Sequence, residues 1–175
     1  MTLRLFSTIP VLVALASGCS PSFEADVPEI DITQRGVKIA GVPGAALVGD
    51  TSVTTSFTYS LSAGAKRMNS DVRVHRITIA VSGSVPNLDF VALARVTAAN
   101  PASPESTTEL LNYARSETAP SSSDIDASMA TPIDITPLWS ADKAVIELQM
   151  AGQLPEQDWT VDVTLSLSGK ITYNS

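Results

Sequence analysis

Hydrophobic and polar residues alternate one by one along several stretches of this chain. The clearest stretch covers residues 158–168, in which polar residues separate the apolar series Trp159, Val161, Val163, Leu165 and Leu167. Residues 51–62 alternate in the same way, with Val53, Phe57, Tyr59 and Leu61 on one face. Because successive side chains of a strand point to opposite faces of a sheet, this period of two predicts strands with one buried and one solvent-exposed face.

Less regular alternation predicts further strands over residues 29–40, 71–81, 89–98, 133–139 and 143–152. Gly36 interrupts the first of these strands and indicates either a β-bulge or a hairpin turn. The strand 71–81 places His75 on the same face as Ile77 and Ile79.

Residues 108–115 fit either a strand or a helix that begins near Pro104, and we predict the strand. Three further segments contain turn-forming residues and are predicted to be loops, namely residues 41–50, 99–107 and 116–132. The last is predicted to be long and mobile, and it is the favoured contact surface for a partner.

The fold class follows from this pattern of short strands. About eight strands joined by turns that contain Gly or Pro, with no long amphipathic helix, predict an all-β protein. We expect a single antiparallel β-sandwich over residues 29–175, either immunoglobulin-like or jelly-roll-like.

The first nineteen residues have a different character. Arg4 precedes an apolar run from Leu5 to Leu15, small residues follow, and Cys19 is the only cysteine of the chain. The run is shorter than the roughly 20 apolar residues that a membrane-spanning helix needs. It is typical of a cleavable secretory signal.

The sequence Ala16-Ser17-Gly18-Cys19 resembles the lipobox of bacterial lipoproteins. The resemblance implies that residues 1–18 are a signal peptide and that cleavage occurs between Gly18 and Cys19. It also implies that the Cys19 thiol carries a diacylglycerol, which would bind membrane lipid, and that residues 19–28 form a lipidated N-terminus and tether. Ser20 then favours the outer membrane over retention in the inner one. The alternative is an ordinary secretory signal cleaved near Gly18.

Charge and composition limit the kinds of partner that the protein can bind and the ways in which it can be stabilised. The formal net charge is −7, which argues against nucleic acid and against electrostatic adhesion to anionic lipid. A single cysteine allows no intramolecular disulfide, so burial of apolar residues must stabilise the domain.

Residues that could carry chemistry are few. His75 is the only histidine, so a serine or cysteine hydrolase would have to use it, and we predict a structural role instead. Asp124 and Asp126 are predicted to be a solvated pair rather than a calcium site, and we expect no metal site and no cofactor. Four basic residues lie close together in the sequence and could dock an anionic partner: Lys66, Arg67, Arg73 and Arg76. A solvated strand end is the simpler interpretation of this group.

Residues 133–138, Ile-Asp-Ile-Thr-Pro-Leu, with the strand that follows, resemble a segment of galactose-binding-like jelly rolls. That resemblance implies sugar binding through exposed aromatic residues, for which Trp139 and Tyr113 are the candidates. The predicted function is a lipid-anchored envelope protein with a non-catalytic structural or protein-binding domain. A carbohydrate-binding module is the first alternative and a hydrolase the second, and the partner would be an envelope protein or a glycan.

Overall fold

The computed structural model describes residues 22–45, 49–60, 70–138 and 143–174, which form eight strands and one short 3-10 helix at Thr136–Leu138. Among these residues, no helix has the length and apolar character needed to cross a membrane. The strands are β1 (Ser22–Ile39), β2 (Thr51–Ser60), β3 (Ser70–Val81), β4 (Val91–Asn100), β5 (Ser103–Ala114), β6 (Asp124–Asp134), β7 (Lys143–Gly152) and β8 (Trp159–Asn174).

The strands pair in a nested order. β1 pairs with β8, β2 with β7, β3 with β6 and β4 with β5, all antiparallel, so the chain doubles back at the β4–β5 turn like one long hairpin. Further pairing of β3 with β8 and of β4 with β7 produces two four-stranded sheets, ordered β1-β8-β3-β6 and β2-β7-β4-β5. The prediction of an all-β antiparallel sandwich is confirmed, and the nested order is that of a jelly roll.

The core lies between the two sheets and is built from the inward positions of the alternating strands. On β8 the inward residues Trp159, Val161, Val163, Leu165 and Leu167 are each at most 2% exposed. Ile146, Leu148 and Met150 of β7 belong to the same buried cluster from the opposite sheet. Each such side chain stabilises the fold by about 1.5–3 kcal/mol.

A β-bulge keeps β1 in phase with the core. The pairing with β8 shifts between Gln34 and Val37, and Gly36 adopts a φ of 63°, which glycine tolerates best. Its backbone N–H donates to Asp162 Oδ1 at 2.8 Å. In a regular strand, residues five positions apart point to opposite faces. Because the bulge adds one residue, Ile32 and Val37 are both buried. The interruption at Gly36 is therefore a bulge and not a hairpin turn.

A second bulge lies at His75. Val74 pairs with Leu167 and Arg76 pairs with Ser166, so His75 has no residue opposite it. Val74 and Ile77 are both fully buried, while His75 is half-buried and turns to the outer face of the sheet. The prediction that His75 shares a face with Ile77 is wrong, because the bulge shifts the alternation by one residue.

The predicted loops at 99–107 and 116–132 are too long. β5 already begins at Ser103, and Pro104 is tolerated because β5 is an edge strand. β6 occupies residues 124–134, so only residues 115–123 connect it to β5. Ile125 is the only fully buried residue of β6, which is why the apolar pattern there is weak. The strand predicted at 108–115 is confirmed, whereas residues 136–138 of the strand predicted at 133–139 form the 3-10 helix.

The predicted tether is also too long. Residues 22–27 pair with residues 169–174 of β8, so β1 begins seven residues before the predicted start of the domain at residue 29. Pro28 coincides with a register shift between Val27 and Ile30, at an edge strand where a missing N–H costs no ladder bond. This part of the strand was not predicted, because the sequence alternates over only six residues before Pro28 interrupts it.

The strand directions divide the sandwich into two ends. One end, called here the terminal end, contains the beginning of β1, the end of β8 and the β4–β5 turn. The opposite end, called here the far end, contains the connections 82–90, 115–123 and 153–158 and the described residues between β1 and β2, 40–45 and 49–50.

Candidate functional site

Asp89 lies in the β3–β4 connection at the far end, and residues of the 115–123 connection form a polar network around its carboxylate. Its Oδ1 accepts hydrogen bonds from Arg115 Nη2 at 2.8 Å and from the Ser122 backbone N–H at 3.2 Å. Its Oδ2 accepts one from the Ser121 hydroxyl at 2.5 Å. The bond from Ser121, followed by the contacts with Ser122 and Arg115, lowers the pKa of the Asp89 carboxyl. The network therefore holds an ionised carboxylate between two connections.

Arg115 completes this network from the end of β5. Its Nη2 also donates to the carbonyl oxygen of Pro120 at 2.8 Å and to that of Ala119 at 3.4 Å. The side chain is only 15% exposed, so the guanidinium shapes the 115–123 connection. This pair was not predicted, because Asp89 and Arg115 belong to no local motif.

Two clefts lie at the far end. The larger, of about 420 Å³, is lined by Asp50, Asp89, Phe90, Ala92, Arg115, Ser116, Glu117 and Gln153. The smaller, of about 320 Å³, is lined by Ala45, Gly49, Gln153, Leu154 and Glu156. The larger cleft offers carboxylates and one guanidinium that is already bound to Asp89. Its chemistry suits polar contacts, and the described residues that line it include no histidine or cysteine to act as a base or nucleophile.

His75 makes one side-chain hydrogen bond within the described residues, between its Nε2 and the Ser168 hydroxyl at 2.6 Å. Within that same part of the chain, no carboxylate is hydrogen-bonded to the imidazole to orient it. The pair lies on the outer face of the sheet, and neither far-end cleft includes it. A serine or cysteine hydrolase of the triad type needs a histidine base that is oriented by a third group next to a substrate cleft. The arrangement at His75 fits a structural hydrogen bond.

The described members of the basic group are engaged in ion pairs. Arg73 Nε contacts Asp71 at 2.7 Å, and Arg76 Nε donates to Asp126 at 2.7 Å. Asp126 is thus part of an ion pair on a strand, and not of the predicted solvated loop pair. Asp124 accepts a hydrogen bond from the Ser122 hydroxyl at 2.8 Å. Over the described ranges, no three histidine, cysteine or carboxylate residues come close enough to hold a metal ion.

The Asp-Ile-Thr-Pro segment makes structural contacts at the terminal end. The Thr136 backbone N–H donates to Asp134 Oδ1 at 2.9 Å, and the Thr136 hydroxyl accepts from the Val72 N–H at 2.7 Å. These bonds start the 3-10 helix and attach it to β3, while Ile135 is fully buried.

Of the two aromatic candidates for sugar binding, Tyr113 lies within the described residues. Tyr113 lies on β5 opposite the buried Ala94, and its half-buried side chain packs against the core. Trp139 lies outside the described residues, as do Gly18 and Cys19. Tyr113 therefore does not present its ring as an exposed platform.

Comparison of the chain with protein-family models, with curated proteins and with solved structures found no match.

Proposed function

We propose that this protein is a lipid-anchored protein of the bacterial cell envelope whose jelly-roll domain has a structural or protein-binding role and no catalytic site. In this proposal the chain is cleaved between Gly18 and Cys19, and the Cys19 thiol carries a diacylglycerol. Ser20 favours the outer membrane as the final location. The support comes from the lipobox resemblance and from the way the chain enters the fold.

The position of β1 determines how close to the membrane an anchor on Cys19 would hold the domain. Its first residue, Ser22, is paired with Asn174 and follows Cys19 by only three residues. Three residues span at most about 10–11 Å when fully extended. A lipid on Cys19 would therefore hold the terminal end of the sandwich close to the bilayer. Two acyl chains, at about 0.8 kcal/mol per buried CH₂, give stable anchoring without help from charge.

The non-catalytic role is supported by how the polar groups of the described residues are used. His75 is hydrogen-bonded to Ser168. The Asp89 carboxylate accepts hydrogen bonds from Ser121, Ser122 and Arg115. General acid–base catalysis requires a group that can exchange its proton with a substrate. These groups are instead committed to contacts between strands and between loops.

Metabolic labelling with a fatty-acid analogue tests the anchor. The full chain is expected to incorporate the label, whereas Cys19→Ala is expected to lose it and to accumulate as an unprocessed precursor. The matched control is Ser20→Ala, which leaves the thiol in place and should be labelled like the parent. Equal labelling of the Cys19→Ala variant would refute the proposal.

A further inference from the structure

Four strands form the edges of the two sheets, β1 and β6 in one sheet and β2 and β5 in the other. An edge strand has unpaired backbone N–H and C=O groups along its outer side, and these groups pair with another strand unless the sequence prevents it. Charged side chains, proline and β-bulges are the usual means of prevention.

Three of the four edges carry all of these protections. β1 has six charged residues, Pro28 and two register shifts. β5 has two glutamates, Pro104 and two register shifts. β6 has three aspartates, Pro132 and a register shift against β3.

The fourth edge, β2, carries none of them. Its sequence, TSVTTSFTYS, has no charged residue, no proline and no glycine. It pairs with β7 without interruption, from Thr51 opposite Gly152 to Ser60 opposite Lys143. No other strand among the described residues pairs with its outer side. An uncharged edge of ten residues is a marked exception in a chain whose net charge is −7.

We propose that β2 pairs antiparallel with β2 of a second copy of this chain, which joins the two four-stranded sheets into one continuous sheet. Such an interface uses the same patch on both copies about a two-fold axis. An axis through Thr55 sets Thr54 opposite Ser56 on the outer face and Val53 opposite Phe57 on the inner face. Hydroxyl pairs and pairs of an aromatic with a β-branched residue are favourable across strands.

The chemistry of β2 identifies a second copy as the occupant. A strand that adds to this edge must alternate small polar residues with apolar ones, so that it continues both faces of the sheet. It must also avoid acidic side chains, because the domain that receives it is acidic. β2 itself meets both conditions, whereas β1, β5 and β6 all carry acidic residues.

This inference goes beyond the proposed lipid anchor and does not depend on it. Antiparallel pairing directs the terminal ends of the two copies in opposite directions. Two anchored copies can therefore pair within one membrane only when their strands run along its surface. The labelling of Cys19 and the oligomeric state are separate measurements, so either proposal can fail alone.

Sedimentation velocity of the full chain, purified in a nonionic detergent, tests the pairing over about 1–100 μM. The parent is expected to show a concentration-dependent dimer. The double variant Thr54→Lys, Ser56→Lys places ammonium groups opposite each other and should raise the dimer dissociation constant at least about tenfold. The control Thr107→Lys adds one lysine, half the added charge of the double variant, to the exposed edge of β5 and should leave the constant unchanged. Each variant must match the far-ultraviolet circular dichroism of the parent.

The dependence of the dimer dissociation constant on salt concentration is an independent test of the pairing. Two domains of the same net charge repel each other and no ion pair crosses the proposed interface, so screening should strengthen the dimer. A monomer at every concentration, a dimer that survives the double substitution, or a dimer lost in Thr107→Lys would each overturn the proposal.

Discussion

β8 and β2 have the same alternation of apolar and polar residues, but the fold uses the two strands differently. β8 lies between β1 and β3, and its inward side chains are fully buried. β2 lies at an edge with β7 as its one partner among the described strands, and its inward residues Val53 and Phe57 are only half-buried. An alternating pattern therefore specifies which face a strand buries, but not how many neighbours the strand acquires.

Polar contacts compensate for the weaker burial of β2. The Tyr59 hydroxyl is buried and lies between the carbonyl oxygens of Ile32 and Val163, to which it donates. The Thr55 hydroxyl donates to the carbonyl oxygen of Lys38 at 3.2 Å. These side chains reach from β2 to β1 and β8 of the other sheet. Burial thus stabilises the centre of the sandwich, while specific hydrogen bonds attach its edge.

The largest expected effect is that of a buried charge in the central strand. Val163→Asp places an unpaired carboxylate where the parent residue is fully buried, and we expect a loss of at least about 4 kcal/mol in the free energy of unfolding. That loss approaches the whole stability of a typical domain, so the variant should be largely unfolded. Urea denaturation followed by circular dichroism measures it. Val53→Asp is the matched control on half-buried β2 and should remain folded, and equal losses in the two variants would contradict the comparison.

An intermediate effect is expected at the polar link between β2 and the opposite sheet. Tyr59→Phe removes the buried hydroxyl and should lower the free energy of unfolding by about 1–3 kcal/mol, because its carbonyl partners remain buried. Burial raises the pKa of the Tyr59 phenol, so it should ionise in alkaline solution only when the protein unfolds.

The control for this variant is Tyr113→Phe, which should change the free energy of unfolding by less than about 0.5 kcal/mol. Tyr113 makes no side-chain hydrogen bond within the part of the chain that the structure describes, and it is only half-buried. A similar loss in both variants would show that the hydroxyl of Tyr59 does not attach β2.

The smallest effect is expected at the other kind of edge contact, an exposed ion pair. Asp126→Asn breaks the pair that joins β6 to Arg76, and at neutral pH it should cost less than about 1 kcal/mol because both side chains are more than one-third exposed. The hydrogen bond from Arg76 lowers the pKa of the Asp126 carboxyl below its ordinary value of about 4.

The sign of the pH dependence follows from that lowered pKa. The contribution of Asp126 is present above the ordinary carboxyl pKa and is lost as the pH falls through the lower pKa of the folded state. The difference in stability between the parent and Asp126→Asn should therefore vanish in acid. A difference that stays constant from neutral pH to about pH 2 would show that the ion pair is not its cause.

The accuracy of the sequence predictions depends on where each strand lies. β8 was predicted because its alternation is uninterrupted over ten residues, and β2 because only Thr55 interrupts the apolar series from Val53 to Leu61. β6 was predicted as a loop, because an edge strand with one fully buried residue has little apolar pattern to detect. The start of β1 was missed because its alternation is short: Phe23, Ala25 and Val27 alternate with polar residues over only six positions before Pro28. The Asp89 network was not predicted at all, because its members come from two connections.

The sequence by itself determined the all-β class, the antiparallel sandwich and the inward face of the regular strands. These follow from a period of two, which is a local property of the chain. The tertiary structure alone decided the nested strand order, the phase shifts at Gly36 and His75, and which strands became edges. Pairing, bulges and the bonds of Asp89 and Tyr59 join residues that are distant in the chain, and no local pattern specifies which distant segments will meet. The unprotected edge at β2 depends on both the sequence and the tertiary structure, because the uncharged sequence matters only once the fold has placed β2 at an edge.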